Sequence, residues 1–151
     1  MARSETAVRL QGAVVSAMKA RDRERLGVLR MLQAAVKQKE VDGRQELDEP
    51  AVIQVIASYA RKVKDQLDGA RAGGRADLVS AAERELAVVQ EFLPAELGDD
   101  ELSDLVREAI AETGAASPRD MGQVMKAVLP RVAGRADGGR VSAEVKRQLG
   151  A

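Results

Sequence analysis

Apolar residues recur along this chain at spacings of three and four, the period of an amphipathic helix. Val8, Val14, Val15 and Met18 form a first inward stripe, opened by Ser4 as a cap and ending near Arg21-Asp22. Leu26, Leu29, Leu32, Ala35 and Val36 form a second, running to about Val41 with Gly43 as its stop. Asp48 caps a third helix, with Pro50 in the first turn, where a missing amide hydrogen costs nothing. Its stripe is Val52, Val55, Ile56, Tyr59, Val63 and Leu67. The stretch Gly69 to Gly74 breaks that helix. Asp77 then caps a fourth, with Leu78, Ala82, Leu86, Val89 and Leu93 inward. Pro94 ends it, because the residue before a proline avoids the α conformation.

Pro94 is therefore the expected domain boundary, dividing 1–94 from 95–151. Beyond it, Leu102, Leu105, Val106, Ala109 and Ile110 follow the helical pattern without a break, and Gly114 closes the segment. Ser117-Pro118-Arg119-Asp120 reads as a helix start: a serine cap, a proline next, and an acid three residues on. Met121, Val124, Met125, Val128, Leu129 and Val132 supply the stripe that follows, with the methionines as core filling. A short last helix carries Val141, Val145 and Leu149, with Ser142 near its start. The expected fold is all-α: an N-terminal domain of about four helices and a C-terminal three-helix domain.

Composition narrows the chemistry. Apolar residues make up 45% of the 151 residues, yet Tyr59 and Phe92 are the only aromatics, so the core must be aliphatic. Aromatic poverty also argues against readers of single-stranded nucleic acid that stack bases on aromatic platforms. The sequence has no cysteine and no histidine, which removes disulfides, Cys/His zinc sites, thiol nucleophiles and imidazole acid–base catalysis. A carboxylate or lysine mechanism stays formally open, but no carboxylate pair, metal spacing or nucleophile setting marks one. No catalytic residue, metal or cofactor is expected. No apolar run approaches the ~20 residues of a membrane span, and nothing near the N-terminus resembles a secretion signal. The expected setting is cytoplasmic, without a membrane partner.

Net charge is zero, but its distribution is uneven. Residues 96–112 hold seven acids against Arg107, a net of −6, and residues 113–151 hold seven bases against three acids, a net of +4. Asp99, Asp100 and Glu101 crowd a helix N-terminus, where the helix dipole favours negative charge. The "KARDRER" run at Lys19–Arg25 has two readings: a helix junction with local ion pairs, or a basic contact surface.

Between the last two helices lies "PRVAGRADGGRVS". Gly134, Gly138 and Gly139 can take positive φ, and Asp137-Gly138 suits a turn. Arg135, Arg140 and free amides at a helix start would also make an anion cradle. No glycine-lysine-serine/threonine triplet appears, so this is not a Walker loop. At 100° per residue, Arg119, Gln123, Lys126 and Pro130 fall opposite the Met121–Val132 stripe. That face suits an RNA backbone, and it equally suits water. The tetrapeptide "GRAD" occurs at 74–77 and again at 134–137, but the flanking segments share no pattern, so no structural repeat is expected.

Four stretches carry a family resemblance: "AMKARDRERLGVLRMLQAAVKQKEVD" (17–42), "GRADLVSAAEREL" (74–86), "FLPAELGDDEL" (92–102) and "DMGQVMKAVLPRVAGRADGGRV" (120–141). Their order and spacing resemble the YqeY family, which is similar to the C-terminal tail of GatB, a subunit of the tRNA-dependent amidotransferase. The tail-like motif here is Met121-Gly122, Val124, Pro130, Gly134 and Ala136-Asp137-Gly138. The family usually has serine where Gly98 stands, which shifts the expected cap to Asp99. The resemblance implies a helical domain followed by a three-helix tail of the kind implicated in holding tRNA. The family's general label is carbon–nitrogen ligase activity with glutamine as amide donor. The catalytic body and ammonia route such a reaction needs do not fit in this length, so the label could describe only an associated complex.

The leading expectation is a non-catalytic module associated with tRNA or another structured RNA. Its candidate contacts are Arg119, Lys126, Arg131, Arg135 and Arg140, with Gly138 and Gly139 allowing close approach. The alternative is an adaptor that docks on a cytoplasmic protein, such as an amidotransferase or synthetase, without RNA.

Overall fold

Ser4 opens the first helix as expected, but it does so as part of a larger arrangement. Its hydroxyl accepts from the Ala7 amide at 3.1 Å and donates to the Glu49 carboxylate at 2.6 Å. Thr6 donates to the same carboxylate from its amide at 3.2 Å and from its hydroxyl at 3.1 Å. Ser4 and Thr6 are thereby buried. Burial by itself would raise the Glu49 pKa, but the hydrogen bonds from Ser4 and Thr6 outweigh it and hold the carboxyl below its usual range.

The computed structural model describes residues 3–150. Among them are seven α-helices and no strand: α1 (Glu5–Ala20), α2 (Arg23–Gly43), α3 (Glu49–Ala72), α4 (Ala76–Gln90), α5 (Asp99–Thr113), α6 (Met121–Val132) and α7 (Gly138–Leu149). A 3-10 turn, Pro118–Asp120, leads into α6. The chain divides into two compact units after Leu93.

In the first unit α3 packs along α4, α1 packs beside α2, and α2 touches both α3 and α4. Leu10, Val14, Leu29, Leu32, Ile56 and Val89 are among the residues that build its core, and Phe92 closes it. The Arg9 guanidinium lies 5.5 Å from the Phe92 ring centroid and donates to the Glu91 carbonyl at 3.0 Å. In the second unit each of α5, α6 and α7 packs against the other two. Val106, Val124, Val128, Val132, Val141 and Val145 are sealed between them, so the core is aliphatic, as the scarcity of aromatics requires.

Several expected details are corrected. Helix α1 turns Leu10, Val14 and Ala17 inward and leaves Val8, Val15 and Met18 exposed. Apolar residues lie on both of its sides, so spacing alone cannot choose between them, and the Glu49 anchor beneath Ser4 and Thr6 fixes the other rotation. Helix α2 runs through Gly43, and Arg44 takes the left-handed turn at φ 52°. The Gln45 amide closes back on the Glu40 carbonyl at 3.1 Å, and the Glu40 carboxylate accepts from the Leu47 amide at 3.0 Å.

Helix α3 passes through Gly69 and ends at Ala72. Asp77 does not cap α4. It sits in the first turn, paired with Arg75 at 3.2 Å, and Val79 rather than Leu78 is the less exposed residue there. Leu129 is exposed rather than part of the α6 stripe.

Helical glycines yield a stability prediction. A Cβ at Gly69 would meet nothing within 4 Å, so Gly69→Ala removes a flexible residue from the interior of α3 without a clash. Thermal unfolding is expected to show a gain of about 0.5–1 kcal/mol.

Candidate nucleic-acid interface

The seven residues expected to meet phosphate all lie in the second unit, and the structure divides them into three groups. Arg119 and Lys126 form the first. Asp120 accepts from the Ala116 amide at 2.9 Å and the Ser117 amide at 3.3 Å, which fixes the turn that carries Arg119 into α6. Val124, Val128 and Val132 are fully buried on one side of α6, while Arg119, Gly122, Gln123, Lys126 and Pro130 are exposed. Neither the Arg119 nor the Lys126 side chain has an ion-pair partner among the described residues. Pro130 lies inside α6 and has no amide hydrogen to give to the Lys126 carbonyl.

Arg131, Arg135 and Arg140 form the second group, and all three are engaged with α5 or the segment that leads into it. Arg131 pairs with Glu112 and lies 3.9 Å from Glu108. Arg135 donates to the Ala95 carbonyl at 3.0 Å and lies 3.5 Å from Glu101. Arg140 donates to the Leu97 carbonyl and to Asp99, each at 3.0 Å. The acidic stretch and the basic stretch that are separate in sequence therefore meet in space at these three arginines. Each arginine still leaves about a third of its side chain open, 32%, 38% and 33% in order.

Gly138 and Gly139 form the third group, and here the expected loop is corrected. Helix α7 begins at Gly138, four residues before Ser142. Asp137 is its N-cap rather than a turn residue, with its carboxylate accepting from the Arg140 amide at 3.0 Å. That cap, together with the hold of Arg140 on Leu97 and Asp99, overcomes the poor helix propensity of two glycines. Of the three loop glycines only Gly134 takes positive φ, at 78°, following Ala133 at 49°. A phosphate at this helix start would meet the Asp137 carboxylate already in place.

Gly139 sits close against the capping carboxylate. A Cβ there would stand 3.0 Å from Asp137 Oδ1, so Gly139→Ala pushes against the cap. In contrast to Gly69→Ala, it is expected to destabilise by about 0.5–1 kcal/mol in the same thermal assay.

Sequence reasoning missed the partners of these cations, because the contacts span between 19 and 43 residues and no local spacing signals them. It also missed a polar tie between α7 and α5. Gln148 donates to the Ser103 carbonyl at 2.8 Å and to Glu144 at 3.0 Å. The Arg147 guanidinium, against partial burial and with help from Gln148, holds the Glu144 carboxyl down to about 2. The cap of α5 stays at Gly98, and Asp99 is the first helical residue, free to pair with Arg140. In "KARDRER", Asp22 caps α2, and the ion pairs reach across the unit to α4 and its end: Arg25 to Glu91 at 2.6 Å and Glu24 to Arg84 at 2.7 Å.

A family model described as Yqey-like protein matches residues 7–149. No curated protein matches the chain at a significant level.

Proposed function

Because the chain belongs to the Yqey-like family, we propose that it is a non-catalytic module that associates with tRNA or a similarly structured RNA and serves the biology of tRNA-dependent amidotransferases. One observation carries the reading: the 3-10 turn before α6 and α6 itself leave Arg119 and Lys126 exposed, with no anion paired to either among the described residues. Phosphate contacts of this kind supply affinity and position, and specificity then comes from the shape of the RNA. Arg131, Arg135 and Arg140 join them through their open edges while still holding α5. Gly138 and Gly139 contribute little direct contact, since Asp137 occupies the anion position beside them.

Two exposed cations and three shared ones make a modest electrostatic footprint, so binding should be visible at low salt and weak near physiological salt. Mobility shift of bulk tRNA at about 50 mM salt, a condition that strengthens phosphate contacts, is expected to show a complex, and no shift there contradicts the proposal. The competing adaptor reading predicts a stoichiometric protein partner and no RNA from the same preparation.

A further inference from the structure

The outward side of the first two helices carries an apolar seam that the core of the first unit does not use. Val8, Val15, Met31 and Val41 are each between 41% and 59% exposed. On α2 the seam is regular. Gly27, Met31, Ala34, Gln38 and Val41 are all exposed and follow one another at spacings of four, three, four and three. That is the repeat by which one helix meets another. The core stripe of α2, Leu29, Leu32 and Val36, lies on the opposite side. Helix α1, packed beside α2, turns out Val8, Gly12 and Val15 at the same spacing. Along the edge of the α2 seam stand Arg23, Arg30 and Lys37, seven residues apart, all exposed and without an ion-pair partner among the described residues.

We infer that this seam docks an amphipathic helix of a partner protein whose edge facing Arg23, Arg30 and Lys37 is acidic. The spacing selects a helix as occupant. A Cβ at Gly12 or Gly27 would meet nothing within 4 Å, so another helix can approach closely at both points. The cations select its charge, since residues that flank a heptad seam set the choice of partner.

Other occupants fit less well. Antiparallel pairing with a second copy would set the three cations against their own kind. Parallel pairing would match only Lys37 with an acid, Asp42. An RNA backbone would answer the cations and leave the apolar stripe in water, with no aromatic there to stack a base. A lipid surface favours large anchors such as Trp, Phe and Leu, and the seam offers valine, methionine, alanine, glycine and one polar residue, Gln38, whose amide donates to Asp42 at 2.8 Å. The inference is independent of the RNA reading, because the seam lies in the first unit and the proposed phosphate contacts lie in the second.

The test uses the full chain and a synthetic helix of about four heptads with leucine at a and d and glutamate at e and g, which repels its own copies. Calorimetry is expected to show an equimolar complex, and NMR to show the largest amide shifts at Val15, Met31, Ala34 and Val41. Met31→Glu, and Arg30→Glu with Lys37→Glu, should each weaken binding by about tenfold or more while circular dichroism stays unchanged. Leu78→Glu, at an exposed leucine on α4, should leave binding intact. Failure of the peptide to bind, or binding indifferent to the seam variants, overturns the inference. It is equally overturned if light scattering shows a dimer that Met31→Glu dissolves. Shifts of the same amides by tRNA or by anionic phospholipid vesicles, with none from the peptide, also overturn it.

Discussion

Glu49→Ala is expected to destabilise the first unit by about 2–3 kcal/mol, a large effect for a residue outside the apolar core. The carboxylate accepts from the Ser4 hydroxyl and from both the amide and hydroxyl of Thr6. Removing it leaves donors on two buried residues without an acceptor, and the α1 N-terminus without its anchor to the start of α3. Glu49→Gln should fall between the two, because its amide oxygen still accepts while its NH₂ confronts the same donors.

The pH dependence follows from the lowered pKa. In the unfolded chain this carboxyl titrates near 4.5, so its contribution is complete above that pH and is lost as pH falls through the lower folded value. Thermal unfolding from about pH 6 down to about pH 3 should therefore narrow the gap between wild type and Glu49→Gln. A gap that widens on acidification contradicts the assignment.

The second large effect is expected at Arg135 and Arg140 taken together. Changing both to alanine removes the donors to the Ala95 and Leu97 carbonyls and the partners of Glu101 and Asp99. The segment that leads into α5 would then rest mainly on the Leu97 amide, which donates to the Arg135 carbonyl at 2.7 Å, and on the buried Leu97 side chain. The expected loss is about 2 kcal/mol, with faster hydrogen exchange at the Leu97 amide. Unchanged stability and unchanged exchange would contradict this. The same geometry bears on any RNA assay: loss of binding in this double variant reports the fold of the second unit as much as it reports phosphate contact. Arg119 and Lys126, whose side chains hold no partner among the described residues, are the cleaner pair to change.

Much of the fold is legible in the sequence because helices announce themselves locally. Asp48 with Pro50, Ser117 with Asp120, and the valine stripes of α6 and α7 each lie within a turn or two of what they specify. The orientation of α1 is not legible, since Val8, Val15 and Met18 are as apolar as the residues that go inward. What decides it is Glu49, more than forty residues away. The end of α2 is missed by one residue because a left-handed arginine replaces the glycine that local rules favour.

At the candidate interface, the identity of the cations is visible in the sequence but their engagement is not. A net charge of +4 over residues 113–151 suggests an open basic patch. Three of those arginines instead answer acids of α5, and only contacts distant in sequence reveal it. The loop "GRADGGRVS" shows the same limit at short range: two glycines argue for a turn, while one aspartate capping at Arg140 makes them the start of a helix.

The proposal for RNA reduces to whether Arg119 and Lys126 meet phosphate. The direct measurement is the salt dependence of tRNA affinity for the full chain and for Arg119→Ala with Lys126→Ala. Each phosphate contact adds just under one to the slope of log K against log salt, so the double variant should flatten it by roughly two while its thermal stability stays the same. An unchanged slope, or no tRNA binding by the wild-type chain at about 50 mM salt, would contradict the account.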